Sequence, residues 1–306
     1  MLMKKRQVRK KLKAKFYVLV SLAILISIGL ILNGFKGVDS RVKNDTIEGD
    51  KKNTTLTKQI IYPTIYITGS GGDVSSVDRL VSHILPVQNV AAKKSLAITA
   101  NISRNYELKV EGEISKDNRY PLIEFGTVKG TDSGELYSKG MQKAVDYLIG
   151  HYRVPWINIV GFSSGATGAV YYMIDTATNE KFPPINKYVS LEGEYNKATG
   201  LQVGETLADV LVNGPLLKTS MYQYIADGYR KISPKVQMML LEGDFNTVKQ
   251  TDSAMPWADG FSIYHLFKEN GNEVTMTLYP TKTSHSKAPT NPIVVQYVKN
   301  FIYETP

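Results

Sequence analysis

Apolar positions along residues 59–306 form two kinds of segment. Short runs rich in Val, Ile, Leu and Tyr have the length and composition of β-strands, and longer segments repeat apolar residues every three or four positions, as amphipathic helices do. The predicted strands are 60–69, 95–103, 106–115, 121–128, 157–161, 187–193, 236–243 and 273–280. The predicted helices are 74–85, 135–152, 166–177, 261–270 and 292–303.

This alternation of strands and helices predicts an α/β fold. Several strands are apolar throughout, so we expect a mostly parallel central sheet with helices on both faces. The two strands within residues 95–115 are joined by a polar turn at Arg104 and Asn105, which predicts an inserted β-hairpin. Residues 193–234 contain no predicted strand but carry apolar and aromatic residues. They form either a cap or lid at the rim of the sheet or a helical face that packs on the core.

The N-terminal part of the chain has a different pattern. Residues 16–32 carry no charge, and a seventeen-residue helix spans roughly 25 Å, close to the ~30 Å hydrocarbon thickness of a bilayer. We therefore predict a basic cytoplasmic segment at 1–15, a transmembrane anchor at 16–33, a flexible linker at 34–58 and an extracellular domain at 59–306. A cleaved signal peptide, which would make the protein secreted, is the alternative.

The net charge of +9 is concentrated at the N-terminus. Eight of the 37 Lys and Arg residues lie in residues 1–15 without any acid, which leaves 29 basic against 28 acidic residues in the remainder. A nearly neutral domain argues against nucleic-acid binding. The chain contains no cysteine, so disulfides, cysteine-based zinc sites and thiol catalysis are excluded.

A G-x-S-x-G motif, "GFSSG", follows the predicted strand 157–161 and begins a helix. This is the setting of a nucleophile elbow, in which a strained turn projects the central serine from the end of a strand. Ser163 is therefore the candidate nucleophile, and Gly161 and Gly165 supply the space that the turn needs. The backbone N–H of Ser164, at the helix start, could stabilise an oxyanion. The alternative is a glycine-rich turn with a capping serine.

A second oxyanion donor should come from a loop after an early strand. The stretch "YITGSGGD" at 66–73 ends such a strand, and Gly69 and Gly71 let its backbone approach a ligand closely. We assign the backbone N–H of Ser70 to this role. A phosphate-binding loop is the competing interpretation, but neither glycine-rich phosphate motif is satisfied.

The general base should be a histidine after the last strand. His285 lies between the last predicted strand and the last predicted helix, whereas His83 and His265 lie in helices and His151 precedes the nucleophile strand. The acid should lie between Ser163 and His285 in the chain. Its candidates, which spacing alone does not separate, are Asp244, Asp252 and Asp259.

Together these motifs resemble the alpha/beta-hydrolase superfamily, and more narrowly the predicted cell-surface alpha/beta hydrolases of Gram-positive bacteria. The resemblance covers about 60–304. "TDSAMP" at 251–256 corresponds to the family's acid loop, so the resemblance implies that Asp252 is the acid. "HSKAPTNP" at 285–292 is similar to the family's histidine loop, and "KYVSLEGEYN" at 187–196 to the stretch after the elbow helix.

Three positions depart from the family pattern. Thr68 precedes Gly69 where the family has His-Gly, the elbow is "GFSSG" rather than "GHSMG", and Ser253 stands where glycine is common. None of these removes a triad member, but the first two change the pocket.

From these features we predict a membrane-anchored, extracytoplasmic serine hydrolase with Ser163, His285 and Asp252 as its triad. A carboxylesterase of short-chain or lipid-like esters is the first interpretation, and a small-molecule ester is its expected partner. Lipases, thioesterases and peptidases use the same triad, and a non-catalytic hydrolase-like binding module is the alternative from a different class. We expect no organic cofactor and no metal. The oligomeric state is not determined by the sequence.

Overall fold

The computed structural model describes residues 58–84 and 94–303. The predicted basic segment, the membrane anchor and all but the last residue of the linker lie outside these described residues. Within the described part, no helix has both the length and the apolar character needed to cross a membrane.

The fold is built around one eight-stranded sheet with the strand order β3-β2-β4-β1-β5-β6-β7-β8. The strands are β1 (Thr64–Ile67), β2 (Lys94–Asn101), β3 (Glu107–Gly112), β4 (Leu122–Thr127), β5 (Ile157–Phe162), β6 (Ile185–Leu191), β7 (Gln237–Asp244) and β8 (Val274–Pro280). Neighbouring strands are parallel except β2 and β3, which pair antiparallel as a hairpin at one edge. The mostly parallel sheet and the hairpin are therefore confirmed.

The described α-helices are α1 (Ser75–Ile84), α2 (Gly134–His151), α3 (Ser164–Thr176), α4 (Leu207–Asn213), α5 (Ser220–Gly228), α6 (Trp257–Gly260), α7 (Tyr264–Glu269) and α8 (Pro292–Tyr303). Short 3-10 helices occur at Ile102–Arg104, Tyr229–Lys231 and His285–Thr290. The predicted helix at 261–270 is shorter than expected, because the chain makes turns before Tyr264.

Helices cover both faces of the sheet, as its apolar strands predicted. Strand β1 illustrates the division, because Ile65 and Ile67 belong to one buried cluster while Tyr66 belongs to another. Helices α2, α3, α5 and α7 pack in the cluster that contains Ile65, whereas α1 and α8 pack in the cluster that contains Tyr66. Successive strand residues point to opposite faces, so a strand buried on both sides must be apolar throughout.

Residues 193–234 contain α4 and α5 and no strand. Part of this segment packs on the core, since Met221, Tyr222 and Ile225 of α5 are buried in the same cluster as α3. Another part exposes large apolar side chains to solvent, namely those of Val203, Val212, Leu216 and Leu217. A role as a cap or lid stays a prediction.

Candidate active site

Ser163 sits in a strained turn between β5 and α3. Its backbone has φ of 52° and ψ of −128°, a combination that costs a residue with a side chain on the order of 1–3 kcal/mol. Two backbone hydrogen bonds fix the turn. The Ser163 N–H donates to the Leu191 carbonyl at 3.0 Å, and the Ala166 N–H donates to the Ser163 carbonyl at 2.8 Å. The surrounding sheet and helix therefore hold the strain in place.

Both flanking glycines are required by the lack of space. A Cβ atom on Gly161 would lie 2.5 Å from the Cα of Ala166, and one on Gly165 would lie 2.2 Å from the carbonyl oxygen of Thr68. Each contact is with backbone, which cannot move aside as a flexible side chain could. The two glycines thus allow α3 to begin against the sheet directly after Ser163.

His285 begins the 3-10 helix that follows β8 and reaches Ser163 across the edge of the sheet. Its Nε2 lies 2.9 Å from Ser163 Oγ, and its Nδ1 lies 2.6 Å from Asp252 Oδ2. The imidazole also stacks on Phe162, with 5.1 Å between the ring centroids. These contacts bring the three predicted triad side chains into one hydrogen-bonded chain.

Asp252 is fully buried, and its other oxygen organises its own loop. Oδ1 accepts the backbone N–H groups of Ala254 at 2.7 Å and Met255 at 2.6 Å, which leaves Oδ2 directed at the histidine. Of the three acid candidates, Asp252 is the one in contact with His285. Asp244 bonds to the Thr247 hydroxyl instead.

Asp259, the third candidate, has a different position. It is buried and accepts the backbone N–H groups of Tyr195, Asn196 and Thr199. Burial raises its pKa to about 7, although these backbone hydrogen bonds act in the opposite direction. Asp259 therefore shapes the loop after β6 rather than the histidine.

Glu192 is a second carboxylate at the histidine that the sequence analysis did not identify. It directly follows β6, is buried, and places Oε2 3.0 Å from His285 Nδ1. Burial raises its pKa to about 7, against the lowering effects of His285 and of the Tyr279 hydroxyl. An available signal was the carboxylate in "VSLEG", directly at the end of an apolar strand.

The environment of His285 favours its charged form. Burial by itself lowers the pKa of His285, but the hydrogen bonds and negative charges of Asp252 and Glu192 outweigh burial and raise the pKa to about 9. Both carboxylates lie on the Nδ1 side of the ring, so Nε2 remains directed at Ser163.

The backbone groups predicted to form an oxyanion site lie at two places around Ser163. Ser164 is buried at the first position of α3. Gly69 approaches Ser163 closely, because a Cβ atom on Gly69 would lie 3.2 Å from the Cβ of Ser163. Ser70 follows in an exposed turn, whereas Gly71 has no heavy atom within 4 Å of an added Cβ.

Tyr137 of α2 holds the segment before Ser70 in place. Its buried hydroxyl donates to the Gly69 carbonyl at 2.6 Å and lies 3.0 Å from the Thr68 hydroxyl. Thr68, which stands where the family pattern has histidine, thereby helps anchor this segment to α2.

The ligand-type atoms of Glu192, Asp252 and His285 all lie within 4.8 Å of one another. Two ligands about 2.0 Å from a tetrahedral zinc ion are about 3.3 Å apart. The separations at Nδ1 are shorter and match a hydrogen bond to Asp252 at 2.6 Å and an ion-pair contact with Glu192 at 3.0 Å. The arrangement therefore fits a histidine held by two carboxylates better than a metal centre.

The other three histidines lie away from Ser163. His83 and His151 are exposed on α1 and α2 and bond to the carbonyl four residues earlier. His265 of α7 contacts the Tyr222 hydroxyl at 3.1 Å.

A cavity of about 660 Å³ lies between α2, α3 and α5, and neither Ser163 nor His285 lines it. Tyr171 and Tyr224 stack on each other in its wall, and Asp132, Asp175 and Lys197 give it a mixed charge. Its lining mixes polar and apolar side chains and does not include His285 or its two carboxylates.

Residues 51–305 match the family described as "Alpha/beta hydrolase of unknown function (DUF915)". The chain belongs to this family. The resemblance drawn from the motifs is thereby confirmed. A comparison with curated proteins gives no match.

Two solved structures share the fold. The product of the gene lin2722 from Listeria innocua is 21% identical, with a TM-score of 0.72 over 80% of this chain and 95% of that protein. A candidate cell surface hydrolase from Lactobacillus plantarum WCFS1 is 16% identical, with a TM-score of 0.62 over 80% of this chain and 93% of that protein. At these identities the likeness establishes the alpha/beta-hydrolase fold.

Proposed function

We propose that this DUF915 protein is a serine hydrolase that cleaves carboxylic esters through an acyl-enzyme intermediate. The observation that carries the proposal is the continuous chain from Ser163 Oγ through His285 to Asp252, with contacts of 2.9 and 2.6 Å. A strained serine in hydrogen-bond contact with a histidine, itself oriented by a buried carboxylate, is the arrangement that activates a hydroxyl.

In this mechanism, Ser163 Oγ attacks the ester carbonyl carbon while His285 Nε2 takes the hydroxyl proton. The tetrahedral intermediate collapses, its bond to the alcohol oxygen breaks, and His285 returns the proton to the leaving alcohol. Water then attacks the acyl-enzyme with His285 again as base, which releases the carboxylic acid and restores Ser163. Asp252 accepts the Nδ1–H throughout and stabilises the imidazolium.

The negative charge that develops on the carbonyl oxygen is assigned to two backbone N–H groups, those of Ser164 and Ser70. The position of Ser164 at the start of α3 supports its role, since the first N–H groups of a helix have no partner within the helix. The close approach of Gly69 to Ser163 supports the assignment to the loop that contains Ser70.

We place the enzyme outside the cytoplasm, anchored by residues 16–33. The basic block before that apolar run and the near-neutral domain after it support this orientation. One structural neighbour is named as a candidate cell surface hydrolase, which agrees with this location. If the segment is cleaved, the same domain would be secreted.

The central test replaces Ser163 with Ala in the full chain and measures hydrolysis of p-nitrophenyl acetate. We expect kcat/KM to fall by about 10⁴-fold or more, because the nucleophile acts together with the whole triad. Exposed Ser284, next to His285, provides the control Ser284→Ala, which should keep the parental rate. Parental hydrolysis by Ser163→Ala would refute the proposal. A fluorophosphonate probe separates enzyme from binding module, since a non-catalytic module would leave Ser163 unlabelled.

Hydrolysis should rise with pH through about 9, where His285 becomes neutral, rather than through the ordinary imidazole range. A pH–rate profile with its acidic limb near pH 6.5 would contradict this environment for His285.

A substrate with a lipid-like acyl group is favoured by the apolar surface of the segment predicted as a cap, residues 193–234. The exposed apolar side chains of this segment are those of Val203, Val212, Leu216 and Leu217. Esters of graded acyl length test this preference. Rates that increase with acyl length, and fall when Leu216 and Leu217 are replaced by Ser, would support a lipase-like substrate. A preference for acetyl esters would support a short-chain esterase.

A further inference from the structure

His285 has two acidic partners on one nitrogen. Its Nδ1 lies 2.6 Å from Asp252 Oδ2 and 3.0 Å from Glu192 Oε2, and both carboxylates are buried. We infer that Glu192 is a positioning residue that pairs with His285 Nδ1 beside Asp252 and can accept the Nδ1–H when Asp252 is absent. The catalytic part of this inference rests on the proposed function.

The structure around Glu192 is built to hold its carboxylate at this place. Its backbone is left-handed, with φ of 48°, and its N–H donates to the Leu241 carbonyl at 2.8 Å. This bond continues the register of β6 and β7, in which Leu191 pairs with Leu241. The side chain therefore leaves the end of β6 in a defined direction, toward β7 and the histidine.

The second oxygen of the carboxylate is also held. Oε1 accepts a hydrogen bond from the buried hydroxyl of Tyr279 on β8. Gly243 on β7 leaves the room that this oxygen occupies, since a Cβ atom there would lie 2.5 Å from Oε1. A residue that merely filled the core would need neither the hydroxyl partner nor the glycine.

Two distances indicate how the carboxylates share the histidine. The hydrogen bond to Asp252 makes Asp252 the acceptor of the Nδ1–H, while Glu192 Oε2 lies 3.0 Å from the same nitrogen as an ion-pair partner. Either carboxylate would keep the proton on Nδ1 and leave Nε2 free to accept from Ser163. Either would also compensate the positive charge that the ring acquires when it takes that proton.

The charged and titratable groups around His285 come from several elements. Besides Asp252 in its loop, they are Glu192 and Glu194 after β6, Glu242 on β7 and Tyr279 on β8. Glu242 faces the two carboxylates but bonds to the Gly193 N–H rather than to the histidine. Glu192 is therefore the partner to change.

The kinetic test compares Asp252→Ala, Glu192→Ala and the double variant in the full chain, with p-nitrophenyl acetate as substrate. Alanine is preferred at both positions because an asparagine or glutamine amide could donate toward Nδ1 and hold the wrong tautomer. We expect kcat/KM to fall about 10²-fold in Asp252→Ala and about 10⁴-fold in the double variant, near the full loss of a triad acid. A double variant as active as Asp252→Ala would overturn the inference.

A second measurement does not depend on turnover. The His285 resonances in histidine-labelled protein, identified by their loss in His285→Gln, report its pKa by NMR. Removing a nearby negative charge should lower this pKa by about 1 unit in Glu192→Gln. The control is Glu124→Gln, a buried glutamate of β4, which should leave the pKa of His285 unchanged.

A His285 pKa that stays the same in Glu192→Gln would overturn the inference even if the protein is an esterase. Conversely, if Ser163→Ala retained full hydrolysis, the proposed function would fail, while the NMR titration would still decide the pairing of Glu192 with His285. Far-UV circular dichroism and thermal melting check that each variant is folded.

Discussion

Two sides of the site, named after their proposed roles, lie on the same edge of the sheet but are built differently. The nucleophile side surrounds Ser163, and the acid side surrounds His285 and its carboxylates. On the nucleophile side, residues 161–166 define the position of Ser163 by backbone strain and two glycines. On the acid side, four buried carboxylates come from separate places in the chain, those of Glu192, Glu242, Asp252 and Asp259. One side is set by local geometry, and the other by which strands are neighbours.

The two sides also differ in electrostatics. Burial raises the pKa of Glu192 and Asp259 to about 7 and that of Glu242 well above its ordinary value. On the acid side, His285 contacts two of the four carboxylates, Glu192 and Asp252. The nucleophile side is therefore destabilised by backbone strain, whereas the acid side is destabilised when its buried carboxyl groups ionise. Steric substitutions should test the first effect, and changes of pH or charge should test the second.

The largest effect is expected from Gly165→Ala, which changes the nucleophile side alone. The new Cβ would lie 2.2 Å from the Thr68 carbonyl, so α3 must shift. We expect the free energy of unfolding to fall by about 1–3 kcal/mol or more and kcat/KM to fall about 10²-fold or more. Thermal melting and ester hydrolysis measure both. Gly150→Ala is the control, since an added Cβ there meets nothing within 4 Å. Equal behaviour of the two variants would contradict the steric account.

An intermediate effect is expected from Tyr137→Phe, which removes the hydrogen bond that anchors the loop at Gly69 and Ser70, the proposed oxyanion loop. The lost hydroxyl donates to the Gly69 carbonyl, so the N–H of Ser70 should become less well positioned. We expect kcat to fall about 10-fold with little change in KM, below the effect of deleting a donor outright. Tyr66→Phe is the matched control, because its hydroxyl bonds to Tyr303 on the opposite face of the sheet. If both variants changed stability but not kcat, the loop assignment would be wrong.

The smallest effect is expected from Glu242→Gln, which tests charge burial on the acid side. A carboxyl whose pKa is higher in the folded than in the unfolded state loses stabilisation as pH rises above the unfolded value of about 4.5. The raised pKa values of Asp259, Glu192 and His285 act in the same direction. The parental Tm should therefore fall between pH 5 and pH 9.

Glu242→Gln removes one of these ionisations while keeping the side-chain shape. We expect its Tm at pH 9 to exceed the parental value by about 2–4 °C, which corresponds to about 1 kcal/mol for a chain of this size. The exposed glutamate 113 gives the control Glu113→Gln, which should follow the parental curve. A parental Tm that rises steadily from pH 5 to pH 9 would show that ionisation of the buried carboxyl groups does not dominate the pH dependence of stability.

Much of the fold could be predicted because its signals are local. Strands buried on both faces are continuously apolar, and long helices repeat their apolar residues at helical spacing, so all eight strands and five of the eight described α-helices were predicted. The short helices α4, α5 and α6 were not predicted. The limits of the helix around 264–269 were less accurate, since the turns before it depend on packing rather than on periodicity. The hairpin was recognisable from two alternating runs joined by a polar turn.

The site residues differed in how far the sequence could identify them. Ser163 could be identified because the two glycines, the strand and the helix of its motif lie within a few residues of it. His285 could be identified from its place after the last strand. Asp252 was separated from Asp244 and Asp259 by the family resemblance, since all three lie within sixteen residues after the same predicted strand. Glu192 was missed because no sequence spacing relates it to His285.

The sequence alone determined the alternation of strands and helices, the turn at Ser163 and the apolar segment near the N-terminus of the chain. Each of these features depends on residues that are neighbours along the chain. The tertiary structure decided which carboxylates meet His285. That outcome depends on the register of β6 against β7 and on the left-handed backbone at Glu192, and both are fixed by contacts between residues far apart in sequence.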